Sequence, residues 1–255
     1  MLGKLLKYEL KAMGRVLLPL YLVMIAACGL FALNIKLTEK AAIFEKFTLL
    51  TGLLMGFSIM AVTIVMIILI LQRFYKNLLG TEGYLMFTLP VSTMNHILSK
   101  MISAFVWVVL GVAAGIGAGI IMISIFGEFH DFMKEFIEAM GILFDDNQIK
   151  LQICLVMILL IFGVTEGLVK VYAAIAVGHQ MNTHRILFSV VAYVVFGVIE
   201  TLLTMIPFIK EFMNGKALTT ATLGQFPKIM IILLLGIAIY GTLSWVLLDR
   251  RLNLE

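Results

Sequence analysis

Three charged side chains stand inside otherwise apolar runs: Glu166 and Lys170 in one, Glu200 in the next. A charge in hydrocarbon is costly, so by default it marks a cavity or pathway and calls for a partner. Glu166 and Lys170 lie four residues apart in the favourable order and can pair along one helix face. Lys170 can equally snorkel toward the membrane surface, which leaves Glu166 to a proton or to another partner. Glu200 has no partner legible in the sequence. A cavity or pathway role and a purely structural one both remain open for the three.

Catalytic chemistry finds little to work with. The chain contains no G-x-x-x-x-G-K-[ST], no G-x-S-x-G and no H-E-x-x-H. Energy from ATP must therefore come from another chain, and neither catalytic residues nor a cofactor are expected in this one. His179 and His184 are five residues apart, on different faces of a helix, with no carboxylate or thiol nearby to complete a metal site. They and the isolated His96 and His130 read as exposed loop histidines. Cys28 and Cys154 fall in apolar runs, where packing as small side chains accounts for them.

The elements that hold these residues follow from composition. Of 255 residues 62% are hydrophobic and 13% charged, against about 25% charged in soluble domains. A spanning helix needs about 20 apolar residues, since the backbone must satisfy its own hydrogen bonds in lipid. Stretches 16–33, 47–71, 101–126, 151–177, 186–208 and 229–248 meet that test, which predicts an all-α, polytopic membrane protein with six transmembrane helices. No soluble domain is left between them, and the chain reads as a single transmembrane domain.

Orientation rests on Lys4, Lys7, Lys11 and Arg15 ahead of the first span, which place the N-terminus in the cytoplasm. Six spans then return the C-terminus to the same side. Leaving aside Lys170 within a span, this puts ten cationic residues inside and eight outside. The motif Ile25-Ala26-Ala27-Cys28 also fits a lipoprotein signal, but the apolar run continues to Leu33 and favours a span.

Spaced three, four and four apart, those four basic residues form one stripe, with Leu2, Leu5, Leu6, Leu10 and Met13 opposite and Glu9 interrupting the apolar side. Residues 1–15 therefore read as an interfacial amphipathic helix among the membrane lipids. Gly111, Gly115 and Gly119 recur every fourth residue in span three and admit a close helix neighbour, in the same chain or in a second copy. After span three, Phe129, Phe132, Met133, Phe136, Ile137, Met140, Leu143 and Phe144 recur at three- and four-residue steps, with Glu128, Asp131, Glu135 and Glu138 on the other face. That pattern predicts an acidic amphipathic helix on the outer membrane surface.

The interval 73–100 is the long polar-edged stretch between two apolar runs on the basic side. Arg73 and Lys76 mark the membrane edge, and Tyr84, Leu85, Phe87 and Leu89 offer anchors for a partner's pocket. Pro90 with Ser92 or Thr93 can stop one helix and cap the next, and Glu82 supplies a charged contact. Burial of the same apolar residues against the chain's own helices is the alternative.

Two segments carry a family resemblance. Glu82-Gly83-Tyr84-Leu85-Met86-Phe87-Thr88-Leu89-Pro90-Val91-Ser92, followed by Leu98-Ser99-Lys100, resembles the cytoplasmic segment of type-2 ABC-transporter permeases of Gram-positive bacteria. Ala176-Val177-Gly178-His179-Gln180, with Asn182, His184-Arg185-Ile186-Leu187 and Ser189, is similar to the short loop before span five of those permeases. The resemblance implies a permease paired with a separately encoded ABC ATPase that holds ATP and Mg, two copies of each forming a transporter in the plasma membrane. The second permease is another copy or a paralogue, and nucleic acid is no partner. It also implies that the loop with Glu82 and Pro90 supplies the coupling helix seated on the ATPase, with His179, Gln180, His184 and Arg185 in a second cytoplasmic loop. Many relatives fold re-entrant helices between spans five and six, whereas 209–228 here offers little beyond Pro227. A secondary transporter or channel would need no ATPase, and an intramembrane hydrolase would need Glu166 and Glu200 to work as a pair.

Overall fold

The computed structural model describes residues 2–76, 92–145, 147–181, 184–205 and 221–250. Among them are seven α-helices: α1 Leu2–Thr38, α2 Glu45–Phe74, α3 Thr93–Phe126, α4 Phe129–Asp145, α5 Asn147–Gly178, α6 Arg185–Met205 and α7 Ala221–Arg250. All but α4 are long and apolar enough to cross a membrane. The described residues are thus all-helical in their regular structure, with six candidate spans, as the composition predicts.

Where the apolar runs end, the helices do not. α3 begins at Thr93, with Ser92 as the flanking residue whose carbonyl accepts from the Asn95 and His96 amides. α1 joins the expected interfacial segment and the first span in one helix of 37 residues, with Pro19 inside it. One face accounts for its continuity: Glu9, Met13, Leu17, Tyr21, Met24 and Cys28 recur at three- and four-residue steps and are all buried. Lys4, Lys7, Lys11 and Arg15 are exposed, as the basic stripe predicts, while Glu9 belongs to the buried side.

The chain divides into two compact units. One comprises Gly3–Ile70 with Ile102–Asp146. In it α1 packs on α3 through small residues: a Cβ on Gly14 would lie 2.8 Å from the Trp107 ring. The Tyr21 hydroxyl donates to the Trp107 carbonyl at 2.9 Å. That carbonyl lies one turn before Gly111, where a Cβ would crowd the hydroxyl at 3.1 Å. Gly111 thus serves a contact within the chain, whereas a Cβ on Gly115, Gly117 or Gly119 would meet nothing within 4 Å. At the other end of α1, Lys36 donates to the Ile125 carbonyl at 2.5 Å. α4 follows a turn at Gly127, whose φ of +86° suits glycine. Phe129, Phe136 and Ile137 on α4 are exposed, as the apolar side of an interfacial helix would be.

The second unit comprises Met1–Leu2, Leu71–Met101 and Asn147–Glu255. Its pillar is the second half of α5, where Tyr172, Ala173, Ala174, Ile175 and Ala176 are all buried. Small side chains on successive residues let α6 and α7 both pack against α5. Val169, Ala173 and Tyr240 form the core, flanked by Met101, Phe196 and Leu243.

Candidate functional site

The first loop's predicted contacts, Glu82, Tyr84, Leu85, Phe87, Leu89 and Pro90, lie outside the described residues. Its two flanks are well defined. On the α2 side Phe74 is fully buried and stacks on Tyr172 of α5, rings 4.1 Å apart and 7° from parallel. Tyr75 meets His179 edge-on at 6.0 Å. On the α3 side Thr93 donates to the Asp249 carboxylate of α7 at 3.1 Å. Each flank is therefore fastened to a different helix of the second unit, α5 on one side and α7 on the other.

The second loop leaves α5 in a tight turn. The Gln180 amide bonds the Val177 carbonyl at 3.1 Å and the Met181 amide bonds Gly178 at 3.2 Å. Gly178 is obligatory here, because a Cβ would fall on the Ser189 hydroxyl and backbone nitrogen of α6. His184 precedes α6 with φ at +52°, a region costly for a side chain, and its carbonyl accepts the Phe188 amide at 3.1 Å.

The histidines divide differently from the sequence expectation. His130 and His184 are exposed, but His96 and His179 are buried. The reason is helix length: α3 starts before His96, and α5 runs to Gly178, so both residues lie against packed helix ends. Cys28 is buried in α1, while Cys154 is exposed on α5.

The three intramembrane charges come together, with an addition. Lys170 of α5 makes an ion pair with Glu200 of α6. Glu200 also accepts from the Tyr240 hydroxyl of α7 at 2.5 Å. Lys170 Nζ lies 5.4 Å from the centre of the Tyr193 ring, close enough for a cation–π contact. Glu166 stands against α7, where a Cβ on Gly236 would be 3.1 Å from its Cγ. The lysine is thus shared across helices with Glu200, 30 residues away, in place of the i to i+4 pairing its spacing allows. One polar knot links α5, α6 and α7, so each costly charge is met by a neighbour. Tyr240 escaped the sequence reading because a tyrosine in an apolar run looks like packing, yet a buried tyrosine hydroxyl regularly finds an acceptor.

An all-helical chain with six apolar helices of spanning length is a multi-pass membrane protein. No family model, curated protein or solved structure matches it.

Proposed function

We propose that this chain is the permease subunit of an ABC exporter in the plasma membrane, with both termini in the cytoplasm. A separate ATPase supplies the hydrolysis, a second permease copy or paralogue completes the pathway, and no covalent chemistry occurs in this chain. The observation that carries the reading is the anchoring of the loop that resembles a coupling segment. Phe74 and Tyr75 tie its start to α5, and Thr93 ties its end to α7. Force applied at the loop would pass to two further helices through stacked rings and a hydrogen bond, as a lever requires. The Lys170–Glu200–Tyr240 knot joins α5, α6 and α7 farther along, which would let the three helices move together. Closure of the ATPases on ATP would swing them and open the pathway to the outside.

The reading is tested by purifying the tagged chain from its native membrane in mild detergent and identifying its companions by mass spectrometry. An ABC ATPase in stoichiometric amount is expected; a chain that runs alone across several detergents contradicts the proposal. A secondary transporter is the second reading, favoured by the intramembrane cluster of Glu166, Lys170 and Glu200. It would transport in vesicles without any ATPase.

A further inference from the structure

Within the intramembrane knot, the counter-charge nearest Glu166 is already taken. Lys170 pairs with Glu200 of α6, and the Tyr240 hydroxyl of α7 donates to the other Glu200 oxygen at 2.5 Å, so each oxygen of that carboxylate has a donor. Glu166 stands one turn before Lys170 on α5, and among the described residues it makes no ion pair. Its carboxyl faces Lys170 and lies within hydrogen-bonding reach of Glu200. Toward α7 it meets backbone: a Cβ on Gly236 would be 3.1 Å from its Cγ and 3.4 Å from Oε1. Tyr240 follows one turn after Gly236 on the same helix. Among the described residues, the titratable groups that face Glu166 are therefore Lys170 on its own helix, Glu200 from α6 and Tyr240 from α7. Lys170 is further held by the Tyr193 ring of α6.

Two carboxyls thus share one ammonium, and full ionisation would leave a net negative charge among apolar helices. Such a charge is costly in a span, and a like charge alongside adds to the cost. An ionised carboxylate only accepts, so two carboxyls can hydrogen-bond each other only when one of them carries a proton. Glu200 already has a donor on each oxygen, which leaves the proton to Glu166. We propose that Glu166 and Glu200 form a proton-binding site that holds one proton, resident on Glu166, with Lys170 as the counter-ion of Glu200. The three groups are then neutral together, and the two carboxyls titrate as a pair. Movement of Lys170 from Glu200 to Glu166, one turn away on its own helix, would send the proton the other way. The Glu166 O–H bond breaks, a Glu200 O–H bond forms, and the net charge is unchanged. The site needs neither an ATPase nor a transported substrate, so it stands or falls apart from the transporter reading.

The test is infrared difference spectroscopy of the full chain in phosphatidylcholine vesicles at neutral pH, where the carbonyl stretch of a protonated carboxyl is separate from the carboxylate bands. Glu166→Gln keeps the size of the side chain and should remove one protonated carboxyl from the wild-type spectrum. Glu200→Gln frees Lys170 to pair with Glu166 and should remove the same signal although Glu166 is still present. Lys170→Met leaves two carboxyls with no ammonium and should add a second protonated carboxyl. Loss of a carboxylate band in place of the protonated one in Glu166→Gln would show that Glu166 is ionised and overturns the proposal. An unchanged protonated-carboxyl signal in Glu200→Gln overturns it as well. The two Gln variants decide the matter by themselves if Lys170→Met fails to fold.

Discussion

Glu200 lies in a predominantly apolar helix and is held there by Lys170 and Tyr240, one from each neighbouring helix. Replacing Lys170 with Met would leave Glu200 without its ion-pair partner in an apolar setting. The expected loss is about 2 to 3 kcal/mol, less than for a fully enclosed pair because the Glu200 side chain is 39% exposed. Thermal unfolding in detergent should show this as a lowered midpoint for Lys170→Met, with Tyr240→Phe affected less. Gly178 gives a sharper case. Ala at this position meets the backbone of Ser189 as well as its hydroxyl, so Gly178→Ala should cost about 3 kcal/mol or more. Adding Ser189→Ala should fail to rescue it; recovery of the melting midpoint in the double variant would show that only the hydroxyl was in the way. The charges themselves were legible in the sequence, since Glu166, Lys170 and Glu200 interrupt apolar runs. Their pairing was not, because it depends on which faces of α5, α6 and α7 meet, and one-dimensional spacing favoured the local Glu166–Lys170 pair.

The spanning helices could be located from hydropathy because length and apolarity are what the bilayer demands. Their ends could not: the first turns of α1 read as a separate interfacial helix, and those of α3 fall in the polar-edged interval 73–100, outside the apolar run. The same shortfall made His96 and His179 look exposed. The glycine series of span three shows how packing separates identical residues: Gly111 makes room for the Tyr21 hydroxyl, and Gly115 and Gly119 face open space. Tyr21→Phe should therefore cost about 1 kcal/mol, measured as a fall in the unfolding midpoint. Gly115→Ala should leave the folding of the isolated chain unchanged. α4 was readable from its own alternation of aromatic and acidic residues. A nitroxide at Ile137→Cys in reconstituted vesicles should collide with dissolved oxygen, while one at Glu138→Cys should collide with an aqueous nickel chelate. Equal aqueous exposure of the two would remove α4 from the membrane surface.

For the molecule as a whole, six spans and an all-helical architecture were implicit in composition, whereas the proposed function rests on the resemblance carried by two short stretches between helices. Residues 82–90 carry the resemblance to a coupling segment, and the geometry contributes its flanks: Phe74 and Tyr75 against α5, Thr93 against α7. A loop fastened on both sides is suited to receive force from a partner and pass it into the spans. The most direct measurement is the amount of ABC ATPase retained per permease when the full chain is purified from its native membrane. Wild type, Glu82→Ala and Phe87→Ala should be compared at equal expression. One ATPase per wild-type chain is expected, with at least about a tenfold loss of retention for Phe87→Ala, which removes an aromatic anchor from a partner pocket. An ATPase retained equally by all three would contradict the docking role of the loop, and no ATPase on any of them would contradict the permease itself.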